Sequence, residues 1–234
     1  MKLSIATTRQ ENLLGYIYLA FSQLILPNLI AITAYYVGFH ISLATLNIIF
    51  FLVNFISIVA IFHRFLGKSL QKTWKSIPKC LLYVFIGFGI YYWVSILLGV
   101  AIVWIQPDFA NVNDQAIAGI TQEQPGLIVF ATVFLVPVVE ETLYRGLIFQ
   151  GLQRKHRILA YIVSVAAFSA IHIVSYIGSA DWVTLGICFI QYLPAGIALA
   201  WAYEKADTIV APMLIHIIIN QIGICSPVAT TSMR

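Results

Sequence analysis

The stretch CLLYVFIGFGIYYWVSILLGVAIVWI, residues 80–105, contains no charged side chain. An α-helix needs about 20 apolar residues to cross a hydrocarbon core of about 30 Å, and this stretch is long enough to do so. Lipid offers no partners for backbone N–H and C=O groups, so a spanning segment must pair them internally. Residues 80–105 therefore predict a transmembrane helix.

The rest of the chain has the same apolar character. Of its 234 residues, 61% are hydrophobic and 9% are charged, whereas soluble globular proteins contain roughly 25% charged residues. Charges and helix breakers divide the chain into seven predicted spans, at residues 13–39, 41–62, 80–105, 126–149, 158–177, 183–203 and 208–224. The expected fold class is all-α, a polytopic transmembrane helical bundle that forms a single domain. Residues 13–105 supply its three N-terminal spans, with Pro27 bending the first, and residues 125–224 form the core with the polar motifs.

Basic residues occupy alternate connections between the predicted spans. They lie before the first span and after the second, fourth and sixth, at Lys2, Arg9, Arg64, Lys68, Lys72, Lys75, Lys79, Arg154, Lys155, Arg157 and Lys205. Because cytoplasmic loops are enriched in Lys and Arg, we expect a cytoplasmic N-terminus and an ordinary external connection at residues 106–125. The net charge of +4 thus reflects orientation, and its distribution is not the basic stripe of a nucleic-acid-binding protein.

The fourth span contains three charged side chains, although a charge near the centre of a membrane helix costs roughly 2.5–3.5 kcal/mol on insertion scales. They lie in the sequence PVVEETLYRG, residues 137–146. Glu141 and Arg145 are four residues apart, share a helix face and can neutralise each other. Glu140 is rotated by about 100° around the helix and has no local cation. Since Arg145 can hold Glu141 ionised, Glu140 is the predicted general base or acid.

Two other spans carry polar side chains among apolar neighbours. His172 lies in the fifth span, and His216 and Asn220 lie in the seventh, where a spacing of four residues places both on one helix face. An Asn amide cannot act as a base, but it can donate a hydrogen bond to an oxyanion. Taken singly, each histidine could be an interhelical hydrogen-bond partner, and Glu141 with Arg145 could be a structural ion pair. Their occurrence together on three spans favours a catalytic site.

The order and spacing of these residues resemble a known family. The matching motifs are Glu-Glu-x-x-x-Arg at Glu140, Glu141 and Arg145, Phe-x-x-x-His at Phe168 and His172, and His-x-x-x-Asn at His216 and Asn220. They are similar to those of the CPBP family of intramembrane proteases, which includes CAAX prenyl endopeptidases and bacterial bacteriocin-processing and self-immunity (Abi) proteins. Tyr144 stands where phenylalanine is common in that family. The resemblance covers about residues 125–224 and implies an all-helical protease fold.

The resemblance implies an intramembrane endopeptidase that cleaves a peptide or membrane-associated protein precursor. Bacteriocin or peptide-pheromone maturation and self-immunity are the roles that would suit it. The expected catalytic residues are Glu140, Glu141, Arg145, His172, His216 and Asn220. We expect Glu140 and His172 to activate the attacking water, and His216 and Asn220 to stabilise the oxyanion. Glu141 and Arg145 would orient the first pair.

Alternatives to this mechanism remain open at the level of sequence. A divalent metal such as zinc could be held by His172, His216 and Glu140, although the His-Glu-x-x-His pair of many zinc proteases is absent. A non-catalytic membrane immunity or partner-control protein could keep the motifs as a structural polar cluster. A transporter or proton relay is disfavoured because no inverted repeat is present. The expected partners are the substrate and the lipid bilayer, without nucleic acid, and the expected location is a bacterial cell membrane.

Overall fold

The computed structural model describes residues 3–36 and 41–225. Within them the chain forms ten α-helices: α1 (Arg9–Leu24), α2 (Leu26–Tyr36), α3 (Leu43–Ile61), α4 (His63–Lys75), α5 (Ile77–Ile105), α6 (Val112–Glu123), α7 (Pro125–Gln153), α8 (Arg157–Ile171), α9 (Trp182–Ala206) and α10 (Val210–Cys225). No strand occurs in these residues. The predicted all-α class is confirmed.

Four of these helices, α3, α5, α7 and α9, are long and apolar enough to cross a membrane. The pair α1 and α2 passes the same test as one unit bent by 52°. Helices α8 and α10 are apolar but only 15 and 16 residues long, which is short for a hydrocarbon core of about 30 Å. A helical membrane bundle is therefore confirmed, whereas the number of seven spans and the cytoplasmic N-terminus stay predictions.

The first predicted span, residues 13–39, is broken in two. Helix α1 ends at Leu24 and α2 begins at Leu26, next to Pro27, which cannot donate a backbone hydrogen bond to the preceding turn. The bend expected from Pro27 is confirmed, and residues 37–39 of this predicted span lie outside the described residues. Helix α1 begins at a capping box, in which Thr8 and Glu11 satisfy each other's backbone N–H groups.

One connection and one predicted span differ from the sequence-based expectation. The sequence predicts an ordinary connection at residues 106–125, but they contain α6, whose first turn is capped by the Asn111 side chain accepting from the N–H groups of Asn113 and Asp114. The span predicted at residues 158–177 ends as an α-helix at Ile171 and continues as a short 3₁₀ turn, Val174–Tyr176. The first difference places Asn111 and Asn113 in hydrogen-bonding contact with Gln191 and Tyr192 of α9.

Helix α7 is not a uniform α-helix. It widens to π-helical geometry at Ala131–Leu135 and again at Thr142–Phe149, and such π segments occur frequently at functional sites. The second segment packs against α8, and the first packs against α3 and α10. Helix α9 packs along α5, α8 and α10. The charged motif of α7 therefore faces the interior of the bundle.

The outer surface of the bundle is apolar. Helix α5 exposes most of its side chains, including Phe85, Trp93, Leu97 and Trp104. In water such a continuous apolar face would be unfavourable, whereas lipid accommodates it. Together with the length of the helices, this surface identifies an integral membrane protein.

The N-terminal segment before α1 binds the ends of several helices. Ser4 donates its backbone N–H to Asp207 Oδ1 at 2.8 Å, and Asp207 also pairs with Lys72 of α4. The Thr7 N–H donates to Gln150 Oε1 at 2.9 Å. In the first turn of α1, which follows this segment, buried Glu11 accepts from the backbone N–H of Phe65 at 2.9 Å. This segment therefore connects α4, the end of α7 and the connection after α9.

Candidate active site

Arg145 and Glu141 form an ion pair inside the bundle, as their spacing predicts. Arg145 Nη1 donates to Glu141 Oε1 at 3.0 Å, and neither side chain has any exposed surface. Arg145 Nη2 donates to the carbonyl of Gly196 on α9 at 3.2 Å, and the guanidinium lies 4.4 Å from the ring centroid of Phe168. A buried charge is tolerated only when it is paired and hydrogen-bonded, so these contacts fix Arg145 as an internal support of Glu141.

His216 of α10 completes this support. Its Nδ1 lies 2.8 Å from Glu141 Oε1, the same oxygen that accepts from Arg145. Because the guanidinium holds Glu141 as a carboxylate, which only accepts hydrogen bonds, Nδ1 of His216 is the donor. The remaining ring nitrogen, Nε2, is therefore free to act elsewhere.

Glu140 lies between two imidazoles from different helices. Its Oε2 is 3.8 Å from His216 Nε2 and 3.9 Å from His172 Nε2. This oxygen is buried and has no hydrogen-bond partner among the described residues, although 18% of the whole side chain is exposed. The two carboxylates thus differ in role, because Glu141 is held by two donors and Glu140 is not.

His172 occupies the end of α8, where the helical hydrogen bonds cease. Its Nδ1 lies 2.8 Å from the carbonyl oxygen of Phe168, one turn earlier. A carbonyl can only accept, so Nδ1 carries the proton, and Nε2 of the neutral ring carries a lone pair. The Phe-x-x-x-His spacing therefore sets both the tautomer and the side from which Nε2 meets Glu140.

Asn220 does not join these groups directly. Its Nδ2 donates to the carbonyl of Thr132 at 2.8 Å, in the first π segment of α7. In that segment the N–H of Val136 donates to Ala131, five residues earlier, and the next donor in the same register would be residue 137. Pro137 has no N–H, so the Asn220 amide takes the place of a missing backbone donor.

Five of the six predicted site residues are therefore close together, and the sixth contacts the same helix about two turns away from Glu140. No sequence signal points to Tyr192 of α9, whose ring stacks on His172 with centroids 4.1 Å apart and planes 24° apart. Phe168 is recognisable in the sequence only as a motif position, yet its ring also contacts His172, with centroids 4.8 Å apart. These contacts depend on how helices pack, which residue spacing along one chain does not reveal.

A metal does not fit these side chains as they are placed. Two imidazole nitrogens and a carboxylate are suitable zinc ligands, but adjacent ligands of a tetrahedral zinc ion with bonds of about 2.0–2.1 Å lie about 3.3–3.4 Å apart. The corresponding distances here are 3.8 and 3.9 Å. Among the described residues, no group of three His, Cys, Asp or Glu side chains has the arrangement of a metal site. The chemistry derived for this site therefore uses water and protein groups alone.

A bundle of apolar helices around a buried Glu, His and Arg cluster defines the class, an integral membrane protein with a polar interior. Residues 122–222 match the family described as "Type II CAAX prenyl endopeptidase Rce1-like". Over these residues the match confirms the resemblance predicted from the three motifs. Searches of curated proteins and of solved structures found no match.

Proposed function

We propose that this protein is an intramembrane endopeptidase that hydrolyses a peptide bond in a peptide or membrane-associated protein precursor. The observation that carries the proposal is the position of Glu140 Oε2, which lies 3.9 Å from His172 Nε2 and 3.8 Å from His216 Nε2. The three groups come from α7, α8 and α10. Their location within residues 122–222, which match a family described as an endopeptidase, supports hydrolysis over other uses of buried carboxylates.

In the proposed reaction, a water molecule hydrogen-bonds to Glu140 Oε2 and His172 Nε2 and attacks the scissile carbonyl carbon. Acceptors 3.9 Å apart can share one water. The water oxygen forms the new C–O bond, one water proton passes to Glu140, and the carbonyl π electrons move to oxygen. When the intermediate collapses, the C–N bond breaks and Glu140 transfers its proton to the leaving amine.

The other site residues support this pair. Arg145 holds Glu141, and Glu141 holds His216 through Nδ1, so His216 Nε2 is kept beside Glu140. Stabilisation of the oxyanion by His216 requires a proton on Nε2 as well as on Nδ1, and this role stays a prediction. Asn220 has a second amide hydrogen besides the one donated to Thr132, and its participation in oxyanion stabilisation stays a prediction.

The description of the matched family suggests which substrate to test first. A prenylated peptide with a Cys-containing C-terminal motif is the first probe, since the family is described as a CAAX prenyl endopeptidase. Precursors of bacteriocins or peptide pheromones are the second substrate class that we propose, with a role in their maturation or in self-immunity at a bacterial cell membrane.

The test uses the purified full-length protein in detergent with an internally quenched farnesylated peptide and its unprenylated counterpart. We expect cleavage at one bond, located by mass spectrometry, and a loss of at least about 100-fold in Glu140→Gln and His172→Gln. His63→Gln is the matched control, because the His63 ring lies at the α3–α4 junction, away from the site, and bonds to the carbonyl of Ala60. Peptides accumulated by cells with the wild type and with Glu140→Gln are compared to find natural substrates.

Two results would overturn parts of this proposal. If Glu140→Gln folds normally and preserves both cleavage and the biological effect, the motifs form a structural cluster and the non-catalytic alternative is correct. If activity disappears on chelation and returns in proportion to bound zinc, the metal-free mechanism is wrong. Full activity in protein shown to be metal-free supports it.

A further inference from the structure

The imidazole of His172 is held from outside its own helix by Tyr192. The two rings are nearly parallel, with centroids 4.1 Å apart. His172 follows the last residue of α8, so its backbone is not held on both sides by helical hydrogen bonds. A stacked ring therefore limits rotation of the imidazole about its side-chain bonds, in addition to the bond from Nδ1 to Phe168.

Tyr192 is in turn held by the first turn of α6. Its hydroxyl lies 3.1 Å from Asp114 Oδ1 and 3.3 Å from Asn111 Oδ1, and either oxygen can accept its proton. The same hydroxyl accepts from Asn113 Nδ2 at 3.1 Å. Three side chains at the start of α6 thus surround one half-buried hydroxyl group, which is more than is needed to satisfy a single donor.

A fourth contact fixes α6 to the same part of α9. Asn111 Nδ2 donates to Gln191 Oε1 at 2.7 Å, while Asn111 Oδ1 caps the N-terminus of α6. The cap that starts α6 is therefore also the residue that joins it to α9. The polar contacts explain why residues 106–125 form an ordered helix against the bundle instead of a loose connection.

We propose that Tyr192 is a positioning residue for His172, and that α6 holds Tyr192 in place through Asp114, Asn111 and Asn113. The inference rests on the proposed function, because it assigns the purpose of this contact to keeping His172 Nε2 beside Glu140. Small errors in the placement of a reacting group are costly, since a displacement of about 1 Å can lower the rate about 100-fold. The fixed ring keeps the lone pair of Nε2 directed at the attacking water.

The first measurement does not depend on catalysis. Protein labelled with ¹⁵N-histidine is prepared in detergent, and the side-chain ¹⁵N signals of His172 are assigned by their loss in His172→Gln. The wild type is expected to show a single tautomer protonated at Nδ1. In Tyr192→Leu the fraction protonated at Nδ1 falls, because the unstacked ring leaves the Phe168 carbonyl for part of the time. Trp201→Leu, which removes another half-buried aromatic ring of α9 that packs on Tyr83, retains the wild-type signals.

The second measurement separates positioning from general stability. With a farnesylated peptide that the wild type cleaves, Tyr192→Leu is expected to lower kcat about 10- to 100-fold with little change in KM, and Trp201→Leu to stay within about twofold. Tyr192→Phe keeps the stacked ring and loses the contacts with α6, so a loss of about two- to fivefold is expected. Asp114→Asn keeps an oxygen that can accept from the Tyr192 hydroxyl but removes the charge, so kcat and KM are expected to stay near the wild-type values.

These variants distinguish failure of the inference from failure of the proposed function. Unchanged His172 signals and an unchanged kcat in Tyr192→Leu would overturn the positioning role. If the wild type cleaves no peptide, the endopeptidase proposal fails, while the ¹⁵N signals still decide whether Tyr192 holds His172. If Tyr192→Leu does not fold, Tyr192→Phe is measured in its place. Wild-type His172 signals and a wild-type kcat in Tyr192→Phe would refute the role of α6 in holding Tyr192.

Discussion

The side-chain amide of Asn220 donates to the backbone carbonyl of Thr132 at 2.8 Å, and the backbone donor missing from this register is that of Pro137. A residue expected from its motif to stabilise an oxyanion thus also completes the hydrogen bonding of a π-helical turn. The two roles make different predictions, because one concerns the reaction and the other the stability of α7.

Asn220→Ala is expected to lower the free energy of unfolding by about 1–3 kcal/mol, the cost of an unpaired buried acceptor. Pro137→Ala supplies a backbone N–H, so in the double variant the added cost of Asn220→Ala falls towards zero. Denaturant unfolding of both single variants and the double variant in detergent gives this coupling energy. If Asn220→Ala instead abolishes cleavage without loss of stability, and Pro137→Ala restores nothing, the oxyanion role is the correct one.

Replacing each of the two adjacent glutamates by glutamine is expected to change the free energy of unfolding by different amounts. Glu141→Gln leaves Arg145 buried without a counter-charge and is expected to cost about 3–5 kcal/mol. Glu140→Gln changes an oxygen that has no hydrogen-bond partner among the described residues, so its stability is expected to stay within about 0.5 kcal/mol of wild type. Thermal unfolding of the two isosteric variants, measured side by side, checks this. Equal losses would contradict the different roles given to the two carboxylates.

Asp207 gives the protein an acid-sensitive contact away from the site. Burial raises the pKa of this carboxyl, but hydrogen bonds from Lys72 and Ser4 outweigh burial and leave the pKa below its ordinary value. A lowered folded-state pKa stabilises the fold above the unfolded-state value of about 3.9, and this contribution is lost as pH falls through the folded-state pKa. Asp207→Asn is therefore expected to cost about 1 kcal/mol at pH 7 and progressively less below about pH 4.

The substitution to Asn avoids a backbone artefact. Asp207 ends α9 with φ of 58°, in the left-handed region, which Asn also adopts readily. Unfolding midpoints of the wild type and Asp207→Asn are measured from about pH 7 down to about pH 2, because the contribution begins to fall below about pH 3.9 and is lost only below the lowered folded-state pKa. A difference between them that stays constant over this range would show that the charge of Asp207 contributes nothing.

Gly146 is a point of close approach between α7 and α4. A Cβ placed there would lie 2.8 Å from Cε1 of Phe65, a fully buried ring. Gly146→Ala is expected to lower the free energy of unfolding by about 1–3 kcal/mol through overpacking, and Phe65→Leu to recover part of this loss. Gly99→Ala on α5 is the control, because its added methyl group would meet no packed neighbour within 4 Å among the described residues. Equal unfolding midpoints for Gly146→Ala and Gly99→Ala would refute the close contact.

Much of the fold and site could be predicted because two signals are local. The absence of charge in residues 80–105 predicts a long apolar helix, and the four-residue spacing of Glu141 and Arg145 predicts their ion pair. The order of the motifs is enough to assign His172 and His216 to the same site. Each of these inferences needs only helix periodicity, the cost of charge in lipid, or the family resemblance.

The remaining features depend on contacts between distant parts of the chain. The partner of Asn220 follows from a π-helical register for which Pro137 is a weak sequence signal. The stacking of Tyr192 on His172 requires the relative placement of α8 and α9. Helix α6 has a recognisable cap at Asn111, but its short polar sequence resembles a loop until its contacts with α9 are known.

The N-terminal segment changes what counts as the smallest working unit of this protein. The family match begins at residue 122, yet Thr7 bonds to Gln150, Ser4 bonds to Asp207, and Phe65 closes over Gly146. A gene fragment cut at the edges of the match would remove all three contacts. Gln150 and Asp207 would each lose a hydrogen-bond partner, and Phe65 would no longer cover Gly146. We expect the matched domain and the segment from the N-terminus through α4 to unfold in one cooperative transition, so the boundary of sequence similarity is not a boundary of folding.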